Sequence, residues 1–196
     1  MRMRRFIKIL LSLLKIIRFR INANPISTYI GNGTKFVGKR SIILSERVSI
    51  MPHTMLVCHG NAHIFVGEGT EIGMFSRVAS LGFIEFGKNI ITGPNVFISD
   101  YNHKYEDVNK SIKEQGNSFI SCDFGKANIS IGDDCWLGTN VVIVGNVKIG
   151  RHCVIGANSV VTKDIPDYCL AIGAPCKIVK KYNFDSKTWE KVKLSK

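Results

Sequence analysis

The sequence predicts an all-β solenoid, in which short parallel strands stack in coils around a single core. Apolar residues recur every six positions from Ile131 to Val161, and a small or branched residue stands four positions after each. Glycine directly follows four of the six apolar residues, where a sharp bend needs a residue without a side chain. A six-residue period is too short for a helical pair and indicates a short strand and a corner, repeated. Three such sides close a coil of about 18 residues.

The side chains at the repeated positions are expected to point into the core of the solenoid. The first set is Ile131, Leu137, Ile143, Ile149, Ile155 and Val161, and the second is Cys135, Val141, Val147, Cys153, Ser159 and Ile165. The same period appears upstream at Leu44, Ile50 and Leu56, at Val66, Ile72 and Val78, and at Phe86, Thr92 and Ile98, with a two-residue slip between the last two sets. Cys135 and Cys153 are expected to stack as packing thiols without a disulfide.

The net charge of +12 is concentrated at the two ends of the chain. Residues 1–20 hold seven Arg or Lys and no acid, residues 176–196 contribute +5, and residues 21–175 are balanced. A nucleic-acid binder spreads its cations over a face of the folded body, so the charge pattern argues against that class. The six cysteines form no C-x-x-C pair, which favours a reducing compartment over a disulfide framework.

The N-terminal segment, residues 1–24, is predicted as a basic amphipathic helix. Lys8 and Lys15 interrupt its apolar run, which argues against a secretory signal and a spanning helix. Two interpretations stay open and are compatible. The helix lies on an anionic membrane surface through residues 1–20, or its apolar face packs on the protein's own body or a neighbouring subunit.

The six-residue period stops between Ile98 and Ile129, which predicts a loop insertion over about 99–128 at one corner of the solenoid. His103 lies in this insertion, directly after the interrupted block. Acyl transfer to a hydroxyl needs a base for the alcohol's proton, and histidine suits this near neutral pH. His59 and His63 are four positions apart, but that spacing makes a metal pair only on a helix, so no metal site is expected.

The hexads resemble the left-handed parallel β-helix of the hexapeptide-repeat acyltransferases, over residues 35–182. The stretch GPNVFISDYNHKYED is similar to the segment of galactoside, maltose and capsule O-acetyltransferases that carries their catalytic histidine. By that resemblance the acyltransferase domain spans 25–182, residues 183–196 form a basic tail, and His103 is the general base. Asp100 is expected to orient its ring, with Glu106 or a backbone carbonyl as alternatives for that role and acceptor binding as the alternative role of Asp100. Tyr101 and Asn102 are expected to contact the acceptor.

Three further segments match the family's acetyl-CoA groove. The expected coenzyme residues are Trp136, Gly138 and Thr139 in CWLGT, Gly156, Ala157, Thr162 and Lys163 in IGANSVVTKDIP, and Lys177 and Lys180 in GAPCKIVKK. The glycines would leave room for the pantetheine arm and the lysines would face phosphates. Lys177 stands where the family commonly has Arg, so a planar bidentate contact is replaced by a point charge. Trp136 has a second interpretation as an anchor of a trimer interface.

The resemblance therefore implies an acetyl-CoA-dependent O-acetyltransferase acting on a carbohydrate hydroxyl in surface-polysaccharide biosynthesis. It also implies a homotrimer with active sites between subunits, in the cytoplasm or on the cytoplasmic face of the membrane. N-acetylation of a sugar-nucleotide amine is the alternative within the same chemistry. A non-catalytic β-helix scaffold is the alternative from another class.

Overall fold

The computed structural model describes residues 2–19, 21–38, 41–119 and 127–192. The residues outside these ranges are 1 and 20 of the N-terminal segment, 39–40, 120–126 of the insertion, including Cys122, and 193–196 of the tail. In chain order the elements are α1 (Arg2–Phe19), β1 (Tyr29–Ile30), β2 (Lys35–Val37), β3 (Ile42–Leu44), β4 (Ser49–Ile50), β5 (Met55–Cys58), β6 (His63–Val66), β7 (Glu71–Ile72), β8 (Arg77–Ser80), β9 (Phe83–Phe86), β10 (Ile91–Thr92), β11 (Phe97–Ser99), β12 (Tyr101–His103), α2 (Ile112–Gln115), β13 (Asn117–Phe119), β14 (Ile129–Ile131), β15 (Trp136–Leu137), β16 (Val142–Val144), β17 (Val147–Ile149), β18 (Val154–Ile155), β19 (Val160–Val161), β20 (Cys169–Ile172), β21 (Lys177–Asn183) and β22 (Thr188–Lys191).

The strands form three parallel sheets that are the faces of one prism, so the predicted left-handed parallel β-helix is confirmed. Face 1 contains β1, β4, β7, β10, β15, β18 and β20; face 2 contains β2, β5, β8, β11, β16 and β19; face 3 contains β3, β6, β9, β14 and β17. The chain passes from face 1 to face 2 to face 3 in each coil. The edges between faces are called the 1–2, 2–3 and 3–1 corners. The coils are numbered from the one that begins at β1, so β10, β11 and β14 form the fourth.

The core is the column of inward side chains from every coil. All twelve residues of the two repeated sets downstream of Ile131 are buried. Along face 2, Leu56, Val78, Ile98, Ile143 and Val161 stack in register from one coil to the next. Each coil covers the apolar end of its neighbour, so burial is continuous along the axis.

The coils are not of one length, which corrects the uniform coil that the hexads predict. Val142 pairs with Val160, a step of 18, whereas Phe97 pairs with Arg77 and Met55 with Arg77, steps of 20 and 22. The longer coils contain four-residue strands on faces 2 and 3, where the downstream coils have two or three residues. The two-residue slip in the sequence marks this widening.

The helix α1 packs on the first coil at one end of the prism. Ser12 and Ile16 are buried there, and the Lys15 ammonium donates to the carbonyl oxygens of Ile30 at 2.7 Å and Gly31 at 3.0 Å. It also donates to Oδ1 of Asn32 at 3.1 Å. Among the described residues, no helix is long and apolar enough to cross a membrane.

The C-terminal segment, which the sequence predicts as a basic tail from residue 183, forms a hairpin over its described residues up to 192, and most of those residues are exposed. β21 runs antiparallel to β20, and β22 runs antiparallel to β21. The rings of Tyr182 and Trp189 are cross-strand partners, with centroids 5.6 Å apart in an edge-to-face arrangement. Aromatic pairs of this kind stabilise an antiparallel ribbon, even one rich in lysine.

Candidate active site

The insertion leaves the solenoid at the 2–3 corner of the fourth coil, after β11, and returns to face 3 at β14. Its described part is not a structureless loop. β12 and β13 form an antiparallel ribbon, and α2 lies between them. The Gln115 side-chain amide donates to the carbonyl oxygens of Asp107 at 3.0 Å and Lys110 at 3.2 Å, which closes the turn of the ribbon. His103 ends β12 opposite Asn117, and its side chain is exposed.

Asp100 lies at the base of the ribbon and is only 4% exposed. Its carboxylate accepts hydrogen bonds from the Ser80 hydroxyl at 2.7 Å and from the backbone N–H groups of Leu81 at 2.8 Å and Gly82 at 3.0 Å. These donors belong to the same corner of the coil below. The carboxylate therefore ties the insertion to the solenoid, and no hydrogen bond joins it to His103 among the described residues.

Tyr101 is held by a histidine that the sequence did not single out for this contact. The Tyr101 hydroxyl lies 3.4 Å from Nε2 of His59, and the two rings meet edge to face. His59 follows β5, at the 2–3 corner two coils away. Tyr101 and His103 alternate with Asn102 along β12, so they share one side of the ribbon. Asn102 is exposed, and the Glu106 carboxylate accepts from the backbone N–H of Tyr105 at 3.0 Å.

The expected coenzyme residues divide among three parts of the solenoid. Gly138 with Thr139 and Gly156 with Ala157 lie at the 1–2 corner, on successive coils. A Cβ on Gly138 would lie 2.6 Å from the Ala157 nitrogen, and one on Gly156 would lie 2.6 Å from Cγ2 of Ile172. Close stacking of the corners is therefore a sufficient structural reason for these glycines.

The other expected coenzyme residues lie on face 1 and at the 2–3 corner. Trp136 projects from β15 and is 56% exposed. Lys177 and Lys180 lie on β21, beside β20 at the far end of the same sheet. Thr162 and Lys163 are exposed and follow β19, at the corner that carries His103 two coils earlier. One chain does not bring Trp136 and His103 together, because the whole of face 2 separates their positions.

An exposed apolar patch surrounds the 1–2 corner of the third to fifth coils. Its members are Met74, Phe75, Ile91, Phe97 and Trp136. Ile91 and Trp136 are register partners on face 1, whereas Phe75 turns the corner with a positive φ of 59°. Large exposed apolar side chains grouped around one corner are typical of an interaction site.

The remaining histidines are dispersed over the surface. His53 stacks on Phe75 at the 1–2 corner with ring centroids 5.2 Å apart, and His152 lies against Tyr168 at the 3–1 corner. The described part of the chain contains no group of three or more His, Cys, Asp or Glu that could hold a metal. The described cysteines are free, and four are buried: Cys58, Cys135, Cys153 and Cys169.

The chain is similar in sequence to known bacterial transferases. The family model for bacterial transferases with hexapeptide repeats matches residues 128–163. The chain is 34% identical to WbbJ of Escherichia coli K12, named for O-acetyl transfer in lipopolysaccharide biosynthesis, over 67% of each protein. It is 36% identical to the galactoside O-acetyltransferase of Lactococcus lactis. The match covers 67% of this chain and 59% of that relative.

A solved structure shares the fold at low sequence identity. The N-acyltransferase AntD of Bacillus cereus, solved with dTDP and 3-hydroxybutyryl-CoA, superposes with a TM-score of 0.69 at 16% identity. The match covers 88% of each chain. At this identity the likeness concerns the architecture of the solenoid.

Proposed function

The chain belongs to the hexapeptide-repeat acyltransferases, and from that membership we propose that it transfers an acetyl group from acetyl-CoA to a carbohydrate hydroxyl, with His103 as general base. The observation that carries the proposal is the exposed His103 at the end of β12, on a ribbon tied to the solenoid by Asp100 and Tyr101. A base on a fixed strand meets the positional demand of proton transfer better than one on a free loop.

The proposed step needs only one proton carrier. His103 takes the proton of the acceptor hydroxyl as the hydroxyl oxygen attacks the thioester carbonyl carbon. The tetrahedral intermediate then releases the thiolate of coenzyme A, and the imidazolium returns the proton to that sulfur. Tyr101 orients the strand through His59, and Asn102 is available to bind the acceptor.

We propose that residues of two subunits together bind the donor, acetyl-CoA. Thr162 and Lys163 share the 2–3 corner with His103, whereas Trp136, Lys177 and Lys180 lie on face 1. A homotrimer would bring the face-1 residues of one subunit to the His103 corner of the next. The exposed apolar patch supports such association. Light scattering of the purified chain should give three times the 21.8 kDa mass, and a monomer that is fully active would contradict this part.

The deciding experiment is His103→Ala, assayed by release of the coenzyme thiol from acetyl-CoA with a panel of acceptor sugars. We expect kcat to fall by about two to four orders of magnitude without loss of thermal stability, because a general base contributes that much. His152→Ala is the matched control, since it removes an exposed histidine at the 3–1 corner. Unchanged turnover in a folded His103→Ala variant would exclude His103 as the base.

The acceptor panel should pair each sugar alcohol with its amino-sugar counterpart. Faster thiol release with amines would redirect the proposal to N-acetylation, for which AntD, an N-acyltransferase, offers a precedent on the same fold. No thiol release with any acceptor, together with no binding of coenzyme A by calorimetry, would favour the scaffold alternative.

A further inference from the structure

The helix α1 has two sides with different environments. One side is fixed to the first coil by Ser12, Lys15 and Ile16, as described above. The other side carries a stripe of exposed apolar residues at helical spacing: Ile7, Leu10, Leu11, Leu14 and Ile17. Steps of three and four positions place these five side chains along one face of the helix. The docked helix thus presents an apolar face that the protein's own body does not cover.

The charge of the same segment identifies what can cover this face. Residues 1–20 carry seven Arg or Lys without an acid, and the segment is still strongly basic when Lys15, which is bonded to the first coil, is set aside. The first turn of α1 has no acidic residue to offset the helix N-terminus. Packing two copies of α1 against each other would bring two cationic segments together, which is unfavourable. An anionic phospholipid surface satisfies both properties, since its acyl boundary takes the apolar face and its headgroups take the cations.

We propose that α1 docks the protein onto the surface of an anionic phospholipid bilayer through the exposed face formed by Ile7, Leu10, Leu11, Leu14 and Ile17. The helix lies in the interface, and its opposite side keeps the first coil attached. Each cation near the surface strengthens partition by about fivefold, and this contribution weakens with salt. The inference concerns an interaction surface and does not depend on the proposed reaction.

The test uses the full chain and vesicles of phosphatidylcholine with and without phosphatidylglycerol, in a sedimentation assay at low and high salt. The wild type should sediment with the phosphatidylglycerol vesicles at low salt, less so at high salt, and weakly with pure phosphatidylcholine. The double variant Leu10→Asp with Leu14→Asp should bind at least about tenfold more weakly, because it puts charge in the inserted face.

The matched control is a second double variant that adds the same two negative charges at positions outside α1. Ile26→Asp with Val108→Asp alters two exposed apolar residues outside α1 and should bind vesicles like the wild type, apart from a small uniform charge effect. Thermal melts verify that both double variants fold. The proposal is overturned if the wild type ignores anionic vesicles, or if the two double variants bind alike. It is also overturned if the Leu10 and Leu14 substitutions dissociate an oligomer in lipid-free solution and leave vesicle binding intact, which would make the face a subunit interface.

Discussion

At the scale of single residues, Asp100 and His103 are three positions apart and have separable roles. Asp100 accepts three hydrogen bonds from the adjacent coil, whereas His103 is exposed at the end of β12. We expect Asp100→Asn to lower the free energy of unfolding by about 2 kcal/mol, because an amide nitrogen would face a backbone donor. Urea denaturation measures this loss. Ser80→Ala, which removes one donor, should cost about half as much, and equal stability of all three proteins would refute the anchoring role.

The Cys58 thiol gives a pH-dependent prediction at the same scale. Burial, and secondarily the charge of Asp100, raise the pKa of Cys58 to about 12. A thiol in the unfolded chain titrates near pH 8.5, so between the two values only the unfolded state loses the proton. Stability should therefore be unaffected below about pH 8 and fall on the order of 1 kcal/mol per pH unit as pH rises through the window toward 12.

Cys58→Ser tests this prediction by difference. Thermal melts at neutral and alkaline pH should show the variant less stable than the wild type near pH 7.5, with the gap narrowing by pH 10.5. Titration of lysines and tyrosines is common to both proteins and cancels. A gap that stays constant across the alkaline range would contradict the raised pKa of Cys58.

Two contacts near the candidate site, those of Asp100 and Tyr101, depend on coil lengths that the hexads alone do not specify. The interrupted period points to His103, and the family resemblance adds Asp100 as an expected partner of its ring. The described hydrogen bonds of Asp100 go instead to the corner of the coil below. The sequence pattern of His59 bears only on metal binding, through its spacing from His63. His59 meets Tyr101 across 42 positions, which is a coil of 22 plus a coil of 20. A uniform coil of 18 residues would not bring His59 and Tyr101 together.

At the scale of elements, α1 depends on Lys15 for its attachment to the first coil. Lys15→Met keeps the aliphatic stem but removes the ammonium donor from the carbonyl oxygens of Ile30 and Gly31, of which Gly31 still accepts from the Thr34 hydroxyl at 3.0 Å. We expect a loss of about 1 to 2 kcal/mol of stability, because the partly buried Ile30 carbonyl loses its charged donor. Hydrogen exchange should show faster exchange of the α1 amides, with little change in faces 1 to 3.

The adjacent position provides the control for that experiment. Leu14→Met places the same residue type one position earlier, on the exposed side of the helix, and should alter stability by less than about 0.5 kcal/mol. If both variants exchange their α1 amides at the wild-type rate, Lys15 does not hold the helix.

At the scale of the whole molecule, stability comes from stacking each coil on its neighbours. Ile143 is fully buried in the fifth coil, with Ile98 and Val161 as register partners on either side. Ile143→Ala should lower the unfolding free energy by about 2 to 5 kcal/mol, since a cavity there is shared by three coils. The midpoint of urea unfolding, at an unchanged slope, measures the loss.

Val142 is the neighbouring position on the same strand and points away from the core. Val142→Ala should cost less than about 1 kcal/mol, because the outward side chain is half-buried and leaves no enclosed cavity. Similar losses for the two substitutions would mean that the inward column is not the main source of stability in this solenoid.

The sequence by itself determined the solenoid, its three-sided coil, the corner that carries the insertion and the histidine placed there. This is possible because each inward position must be apolar or small, and because each tight corner restricts the residue type. Both constraints recur every six residues, so the period can be recognised from residues that are close in the sequence. The tertiary structure alone decided the unequal coil lengths, the partners of Asp100, Tyr101 and Lys15, and the hairpin at the C-terminal end. The contacts of Asp100, Tyr101 and Lys15 join residues 15 to 42 positions apart, and which residues meet depends on the length of every coil between them.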